Sequence, residues 1–115
     1  MIREGQIVLF RFPQADQVAG KMRPALVLRQ APGRHNDWLV CMISTQLDQA
    51  VPGFDEVLRT ADSDFSSSGL REESVIRVAR LAVVNGSVLL GAIGEIPLSR
   101  LKRIKNRLVD WIRGA

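Results

Sequence analysis

The sequence has few of the residues that build covalent or metal-based frameworks. Its 115 residues include one cysteine and one histidine, Cys41 and His35. A lone cysteine excludes an internal disulfide, a cysteine zinc cluster and a CxxC redox pair. A lone histidine excludes a His-rich metal centre, and it excludes a serine–histidine–aspartate triad unless His35 itself serves in it. A chain of this kind suits a reducing cytoplasm, which is where we expect the protein.

Aromatic residues and long apolar runs are also scarce. There is no tyrosine, and aromatic residues make up only 5% of the chain, so a broad platform for stacking nucleic-acid bases is not expected. The N-terminus lacks the basic and apolar regions of a signal peptide. The most apolar tract, residues 81–96, is interrupted by glycines and polar residues and is shorter than a bilayer span. We therefore expect no association with a membrane.

The residues that are present fit one compact domain spanning residues 1–115. The chain is 46% hydrophobic and 24% charged, close to an average globular domain. Its net charge of +4 is uneven: residues 1–35 and 74–115 carry six and eight basic side chains against two acidic ones each, whereas residues 36–73 carry eight acidic and two basic. Such a pattern predicts one positive face that attracts a polyanion such as nucleic acid. An excess of basic residues can also serve solubility alone.

Hydrophobic periodicity predicts five to seven short strands followed by one helix. Strands are expected at 6–12, 25–29, 38–45, 54–58, 74–84 (one long or two joined strands) and 88–96. Asn85-Gly86 is a typical hairpin turn, which predicts that the last two strands pair directly. Glycines in the last strand predict a bulge or a close backbone contact. The polar segment 60–69 is expected to be a loop or one helical turn ended by its glycine, and residues 98–112 have the apolar spacing of an amphipathic helix. The expected fold is mainly β (α+β), a small, highly curved antiparallel sheet or barrel with a C-terminal helix.

Three short motifs combine residues that can bind or polarise a phosphodiester. The first, GKMRPALV, places two basic residues at a predicted junction of loop and strand. The second, ISTQ, ends a predicted buried strand with two hydroxyls and an amide, and in the third, SVIR, an arginine interrupts an apolar strand. Each motif alone is common, so their order and spacing carry the interpretation. The polar residues concerned are Lys21, Arg23, Ser44, Thr45, Gln46 and Arg77.

In order and spacing these motifs resemble the PemK/MazF family of toxin endoribonucleases from type II toxin–antitoxin systems. The similarity begins at GQIVL (residues 5–9), continues through RPALVL (23–28) and ISTQ (43–46), and includes SVIR (74–77). It covers nearly the whole chain and ends with the C-terminal helix. The resemblance implies a homodimeric SH3-like barrel that cleaves single-stranded RNA, such as mRNA, at short sequences without a metal or other cofactor. It also implies inhibition by a cognate antitoxin protein.

The resemblance further implies a reaction and roles for particular residues. In the family, the ribose 2′-hydroxyl attacks the adjacent phosphate and leaves a 2′,3′-cyclic phosphate and a free 5′-hydroxyl. Arg23 matches the family's catalytic arginine, and a guanidinium can bind two phosphate oxygens at once. Ser44 matches the family's catalytic hydroxyl residue, and Thr45 beside it could substitute. The remaining expected RNA contacts are Gln17, Lys21, Gln46 and Arg77.

Departures from the family pattern leave the general base open. Val18 stands where some members have an acidic or histidine side chain, and Ala79 stands where others have an acid. Asp16 is the best remaining candidate for the base. His35 has a suitable intrinsic pKa, but it falls in a predicted exposed turn that has no family counterpart.

Two other functions are compatible with the same fold. One is a non-enzymatic toxin that binds a protein, as relatives that poison DNA gyrase do; Trp111 and Ile112 near the C-terminus are loosely similar to those relatives. The other is an RNA- or DNA-binding module that has lost catalysis, which the missing acidic residues favour.

Overall fold

The computed structural model describes residues 1–11 and 22–114. In this part of the chain, six strands form one antiparallel sheet that curls into a half-barrel, followed by a C-terminal helix. The strand order is β4-β5-β3-β2-β1-β6. The prediction of a small antiparallel barrel with a C-terminal helix is therefore confirmed. The elements are β1 (Gln6–Arg11), β2 (Met22–Gln30), β3 (Asp37–Ser44), β4 (Glu56–Leu58), β5 (Ser74–Asn85), β6 (Ala92–Glu95) and α1 (Leu98–Arg113), with short 3-10 turns at Leu47–Gln49, Ser66–Ser68 and Gly86–Val88.

Alternation along the strands gives the sheet two apolar faces, because successive side chains point to opposite sides. The first, here called the helix face, packs against α1. Its buried residues are Ile7, Leu26, Leu28, Cys41, Ile43, Leu58, Ile76, Val78 and Ile96, joined by Leu101, Ile104 and Leu108 of the helix. The second is called the opposite face. Its buried residues are Val8, Phe10, Ala25, Val27, Trp38, Val40, Met42 and Leu89.

Helix α1 forms where the sequence predicts it. Its three buried side chains, Leu101, Ile104 and Leu108, recur at intervals of three and four residues and so lie on one side of the helix. Each such burial stabilises the fold by about 1.5–3 kcal/mol. Gly114 ends the helix in a left-handed conformation, with φ of 80°. Among residues 1–11 and 22–114, no helix is long and apolar enough to cross a membrane.

Strand β5 is one long strand with a bulge near its middle. Its pairing with β3 runs from Asp37 opposite Asn85 to Cys41 opposite Leu81, then resumes with Met42 opposite Arg77. Residues 78–80 therefore have no direct partner on β3. A bulge bends its strand and increases the local twist, which allows β5 to follow the curl of the sheet.

The predicted hairpin at Asn85-Gly86 is wrong, because β6 pairs with β1 instead of β5. The Asn85 side chain accepts a hydrogen bond from the Ser87 backbone N–H at 3.0 Å and caps a 3-10 turn. The Gly86 N–H donates to the Asn36 carbonyl at 2.7 Å. A Cβ on Gly86 would lie 2.4 Å from Asn36 Nδ2. This glycine therefore permits a close contact with the segment before β3, and the chain then crosses to the far edge of the sheet.

Two glycines bring the ends of the sheet together. Gly69 ends the 3-10 turn between β4 and β5 with φ of 74°, as predicted for segment 60–69, and Gly94 lies in β6. A Cβ on Gly69 would lie 2.0 Å from the Ile93 carbonyl oxygen, and one on Gly94 would lie 2.3 Å from the Ser68 carbonyl carbon. The backbones therefore touch directly, which confirms the predicted close contact at a glycine of the last strand.

Candidate functional site

Residues from all three sequence motifs lie on one face of three adjacent strands. Arg23 is near the start of β2, Ser44 ends β3, and Arg77 is in the first part of β5. Phe10 is opposite Arg23 and Met42 is opposite Arg77, and both partners belong to the opposite face. Directly paired residues point to the same side of an antiparallel sheet, as do residues two apart on one strand. All three polar residues therefore project from the opposite face, across about 10 Å of sheet.

Arg23 carries a buried hydrogen-bond donor in its side chain. Its Nε is buried, and no hydrogen-bond acceptor for it occurs in the described part of the chain. Leaving a buried donor unpaired costs about 1–3 kcal/mol, so such groups require an explanation. A guanidinium with an unused donor is suited to an anion that has several oxygens, such as a phosphate.

The end of β3 presents two hydroxyls in different settings. Ser44 is half-buried, and its Oγ accepts a hydrogen bond from the Gln46 backbone N–H at 3.1 Å. Because Oγ acts there as an acceptor, its own hydrogen is available to donate elsewhere. Thr45 is exposed, and its carbonyl accepts from the Leu47 N–H at 3.1 Å as the chain enters the 3-10 turn. Ser44 is therefore the better oriented hydroxyl of the two.

Arg77 is held by a chain of polar side chains. Its Nε lies 3.4 Å from Asp55 Oδ2, and its Nη1 donates to Gln49 Oε1 at 3.0 Å. Gln49 Nε2 in turn donates to Gln46 Oε1 at 2.5 Å. Two of the predicted RNA contacts, Gln46 and Arg77, are thus linked through Gln49, which lies in the 3-10 turn after β3.

Sequence reasoning missed Asp55 and Gln49. Asp55 lies just before β4 in the acidic middle of the chain, where nothing in its immediate sequence distinguishes it from the other carboxylates. Gln49 becomes relevant only because the 3-10 turn directs the chain back towards β5. Both residues could be found only from contacts between segments distant in sequence.

The remaining predicted residues divide into those outside the described part and those away from the site. Asp16, Gln17 and Lys21 lie outside the described residues. His35 is exposed on the segment between β2 and β3, as expected. Burial raises the pKa of Cys41 to about 12 with a smaller contribution from the charge of Asp55, so this thiol remains protonated and unreactive.

A second charged cluster lies on the helix face. Glu56, in β4, has a side chain only 8% exposed and binds three arginines of α1: Arg100, Arg103 and Arg107. Burial by itself raises the pKa of Glu56, but the hydrogen bond from Arg103 and the charges of the three arginines outweigh it, so the pKa is lowered overall. Arg100 also donates to both oxygens of Asp64, at 2.7 and 3.1 Å, and lowers the pKa of that carboxyl. This cluster joins α1 to the sheet.

The fold and the polar cluster on its opposite face define a small, helix-capped antiparallel half-barrel with basic and hydroxyl side chains at the ends of adjacent strands. The sequence profile of the PemK-like, MazF-like toxins of type II toxin–antitoxin systems matches residues 3–112. The chain belongs to this toxin family.

Solved structures agree with this assignment. An endoribonuclease in complex with its cognate antitoxin, from a mycobacterial species, superposes with a TM-score of 0.68 at 11% identity, covering 98% of this chain and 96% of that one. MazE-MazF from Deinococcus radiodurans gives 0.69 at 20% identity, covering 95% and 92%. MazF from the same organism gives 0.68 at 22% identity, covering 97% and 96%. At these identities the similarity demonstrates a shared fold. No curated protein sequence matches significantly.

Proposed function

We propose that this toxin is a metal-independent, sequence-specific endoribonuclease that cleaves single-stranded RNA. One observation carries the proposal: Arg23, Ser44 and Arg77 project from one face of three adjacent strands, and Arg23 keeps a buried Nε–H that has no acceptor among the described residues. A phosphodiester would supply the acceptor oxygen that Arg23 Nε lacks and a negative charge between the two arginines. The uneven basic charge of the chain supports the same class of ligand.

The proposed reaction is an internal transesterification. The ribose 2′-oxygen forms a bond to the adjacent phosphorus, and the bond from phosphorus to the 5′-oxygen breaks. The 2′-hydroxyl loses its proton to a base, and the departing 5′-oxygen receives a proton from an acid. Negative charge builds up on the non-bridging oxygens in between. Arg23 donates to these oxygens, and one well-placed donor of this kind contributes about a hundredfold or more in rate.

Ser44 is proposed as a second donor to the phosphate. Its Oγ is fixed by the Gln46 N–H, so the hydroxyl hydrogen is directed away from the turn. Thr45 is the alternative donor, and its exposed position gives it less orientation. Asp16 remains the proposed base, on the sequence argument alone.

The proposed RNA contacts flank this centre. Arg77 and Gln46 are linked through Gln49, and Gln17 and Lys21 complete the set on sequence grounds. Such contacts bind mainly phosphate oxygens, because few aromatic residues are present to stack bases. RNA binding is therefore expected to weaken steeply as salt increases.

An antitoxin partner and self-association are part of the proposal. Two of the similar structures described above are complexes of a toxin with an antitoxin. We infer that this chain is likewise inhibited by a cognate antitoxin, acts as a homodimer and works in the cytoplasm, where single-stranded mRNA is available.

The test is incubation of the purified protein with a long single-stranded RNA in excess EDTA, followed by mapping of the fragment ends. We expect discrete cuts that leave 2′,3′-cyclic phosphates and 5′-hydroxyls. Arg23→Ala should retain its fold and reduce the cleavage rate about a hundredfold or more. Arg80→Ala is the matched control, since Arg80 is an exposed arginine of β5 with no ion pair among the described residues.

Two results would overturn the proposal. Equal cleavage by folded Arg23→Ala would identify the activity as a contaminant or assign it to other residues. RNA left intact by a protein that still arrests growth would favour the protein-binding toxin. That second candidate draws support from Trp111 and Ile112, which are 52% and 67% exposed.

A further inference from the structure

We propose that Asp55 is a positioning residue for RNA binding, and that it acts by fixing the guanidinium of Arg77 together with Gln49. The inference rests on the proposed function, because it assigns these two residues to the RNA contact made by Arg77. Neither residue is among those that the sequence motifs single out. Its support is a buried carboxylate that contacts both the segment after the 3-10 turn and strand β5.

Asp55 has a side chain only 3% exposed, and each of its oxygens has a backbone donor. Oδ2 accepts from the Val51 N–H at 2.9 Å, which fixes the segment after the 3-10 turn. Oδ1 accepts from the Val78 N–H at 3.0 Å. Val78 is buried and lies outside the paired registers of β5 with both β3 and β4, so without Asp55 its N–H would need another acceptor. The carboxylate thus holds the bulge and the segment after the turn in a fixed relation.

The same carboxylate binds the arginine next to the bulge. Asp55 Oδ2 lies 3.4 Å from Arg77 Nε, and Gln49 Oε1 accepts from Arg77 Nη1 at 3.0 Å. These two contacts hold two different nitrogens of the guanidinium. Its other terminal nitrogen, Nη2, makes no hydrogen bond or ion pair within residues 1–11 and 22–114, and the side chain is 21% exposed. The arginine is therefore oriented by one ion pair and one hydrogen bond, with Nη2 available for a phosphate oxygen.

This arrangement reverses the result expected from net charge. Removing the charge of Asp55 makes the protein more positive, and charge alone then predicts tighter binding to RNA. If Asp55 fixes the orientation of Arg77, neutralising it releases the guanidinium and weakens binding. The direction of the change therefore separates the positioning role from a simple electrostatic effect.

The experiment is a double-mutant cycle that measures the Kd of fluorescently labelled, mixed-sequence 2′-O-methyl RNA, which cannot be cleaved because its 2′-oxygens are blocked. Asp55→Asn should weaken binding about tenfold in the parent protein and less than about twofold in an Arg77→Met background, because coupled residues are not additive. The salt dependence of log Kd should also become shallower by about 0.7, the change expected when the protein neutralises one phosphate fewer on a single strand. Asp110→Asn makes the same charge change at an exposed residue of α1 and should leave Kd unchanged or tighten binding slightly, as charge alone predicts.

Gln49→Leu is the second variant, and it is needed because Asp55 supports the fold as well. Gln49 is exposed, so its substitution should leave the melting temperature unchanged. It should weaken binding about threefold in the parent and have no effect with Arg77→Met. Circular dichroism and thermal melts establish which variants are folded before their binding is compared.

The inference is overturned if Asp55→Asn and Gln49→Leu bind RNA as tightly as the parent or more tightly. It is also overturned if they weaken binding equally with and without Arg77, since that result indicates a general structural effect. Cleavage of unmodified RNA is measured separately. Coupling in the binding cycle without cleavage would contradict the proposed function and support the inference. Cleavage without coupling would support the proposed function and contradict the inference.

Discussion

Asp55 and Glu56 are consecutive carboxylates that are both buried and both bound to arginine, yet they serve different parts of the molecule. Glu56 is paired with Ile76 on the helix face and binds three arginines of α1. Asp55 binds one arginine, Arg77 of β5, and accepts two backbone N–H groups. Neighbouring charges are therefore directed towards two separate clusters.

The difference lies in what remains unused on each arginine. Arg100 uses Nε and Nη2 on Asp64 and Nη1 on Glu56, so each of its nitrogens has a carboxylate partner. Arg77 has partners within the described residues for Nε and Nη1 only. A guanidinium whose donors are all occupied can hold two elements together. One with a nitrogen remaining and with its orientation fixed, such as Arg77, can also bind a ligand.

The largest effect is expected from Glu56→Ala. This change leaves three arginines of α1 without their shared acceptor, and breaking a buried ion pair on one side costs about 3–5 kcal/mol of unfolding free energy. Urea denaturation measures the loss. Glu95→Ala, which removes an exposed ion pair with Arg3, should cost less than about 1 kcal/mol. Equal losses in the two variants would show that the buried cluster does not stabilise the protein.

Exchanging arginine for lysine at both positions sharpens the comparison. Arg100→Lys should lower the unfolding free energy by about 2 kcal/mol and leave RNA binding unchanged, because a single ammonium cannot replace a fork that binds two carboxylates. Arg77→Lys should cost less than about 1 kcal/mol and weaken RNA binding about fivefold. Both variants are followed by urea denaturation and by the Kd of 2′-O-methyl RNA. If Arg100→Lys weakened RNA binding and Arg77→Lys did not, the RNA-binding arginine would belong to the helix-face cluster.

The pH dependence of stability is expected to follow the helix-face cluster. The pKa of Glu56 and that of Asp64 are lowered in the folded state, so their stabilisation is fully present above the unfolded pKa of about 4. It is lost as the pH falls through the lower, folded-state pKa. The unfolding free energy should therefore hold steady from pH 7 to about 5 and fall as the pH drops below about 4.

Glu56→Gln provides the control for this pH dependence. Glutamine does not titrate, so the acid-side decline should be shallower than in the parent protein. Urea denaturation at several pH values between 7 and 2 measures both curves. A decline of equal slope in the variant would assign the acid sensitivity to other carboxylates.

Most of the fold could be predicted from the sequence because its elements follow local patterns. The spacing of Leu101, Ile104 and Leu108 indicated α1, and the apolar run over residues 38–45 indicated the central strand β3, which ends at Ser44. Gly69 was correctly expected to end a turn. The error at Asn85-Gly86 arose because the pair resembles a hairpin turn locally, whereas its contact with Asn36 comes from a distant segment.

The site was predictable only in part, for the same reason. Arg23, Ser44 and Arg77 stand in recognisable motifs, and sheet register brings them to one face. Asp55 and Gln49 stand in no motif, and their contacts with Arg77 depend on the bulge of β5 and on the 3-10 turn after β3. The sequence shows patterns within one segment, but it does not show which residues of two distant, irregular segments come into contact.

The contact between Gly69 and Gly94 brings the two edges of the half-barrel together without continuing the sheet from one edge to the other. The sheet ends at β4 on one side and at β6 on the other. The 3-10 turn between β4 and β5 meets β6 backbone to backbone, with no side chain between them. No backbone hydrogen bond in the described part of the chain crosses this contact, so the two edges of the sheet are held together there by packing and not by strand pairing.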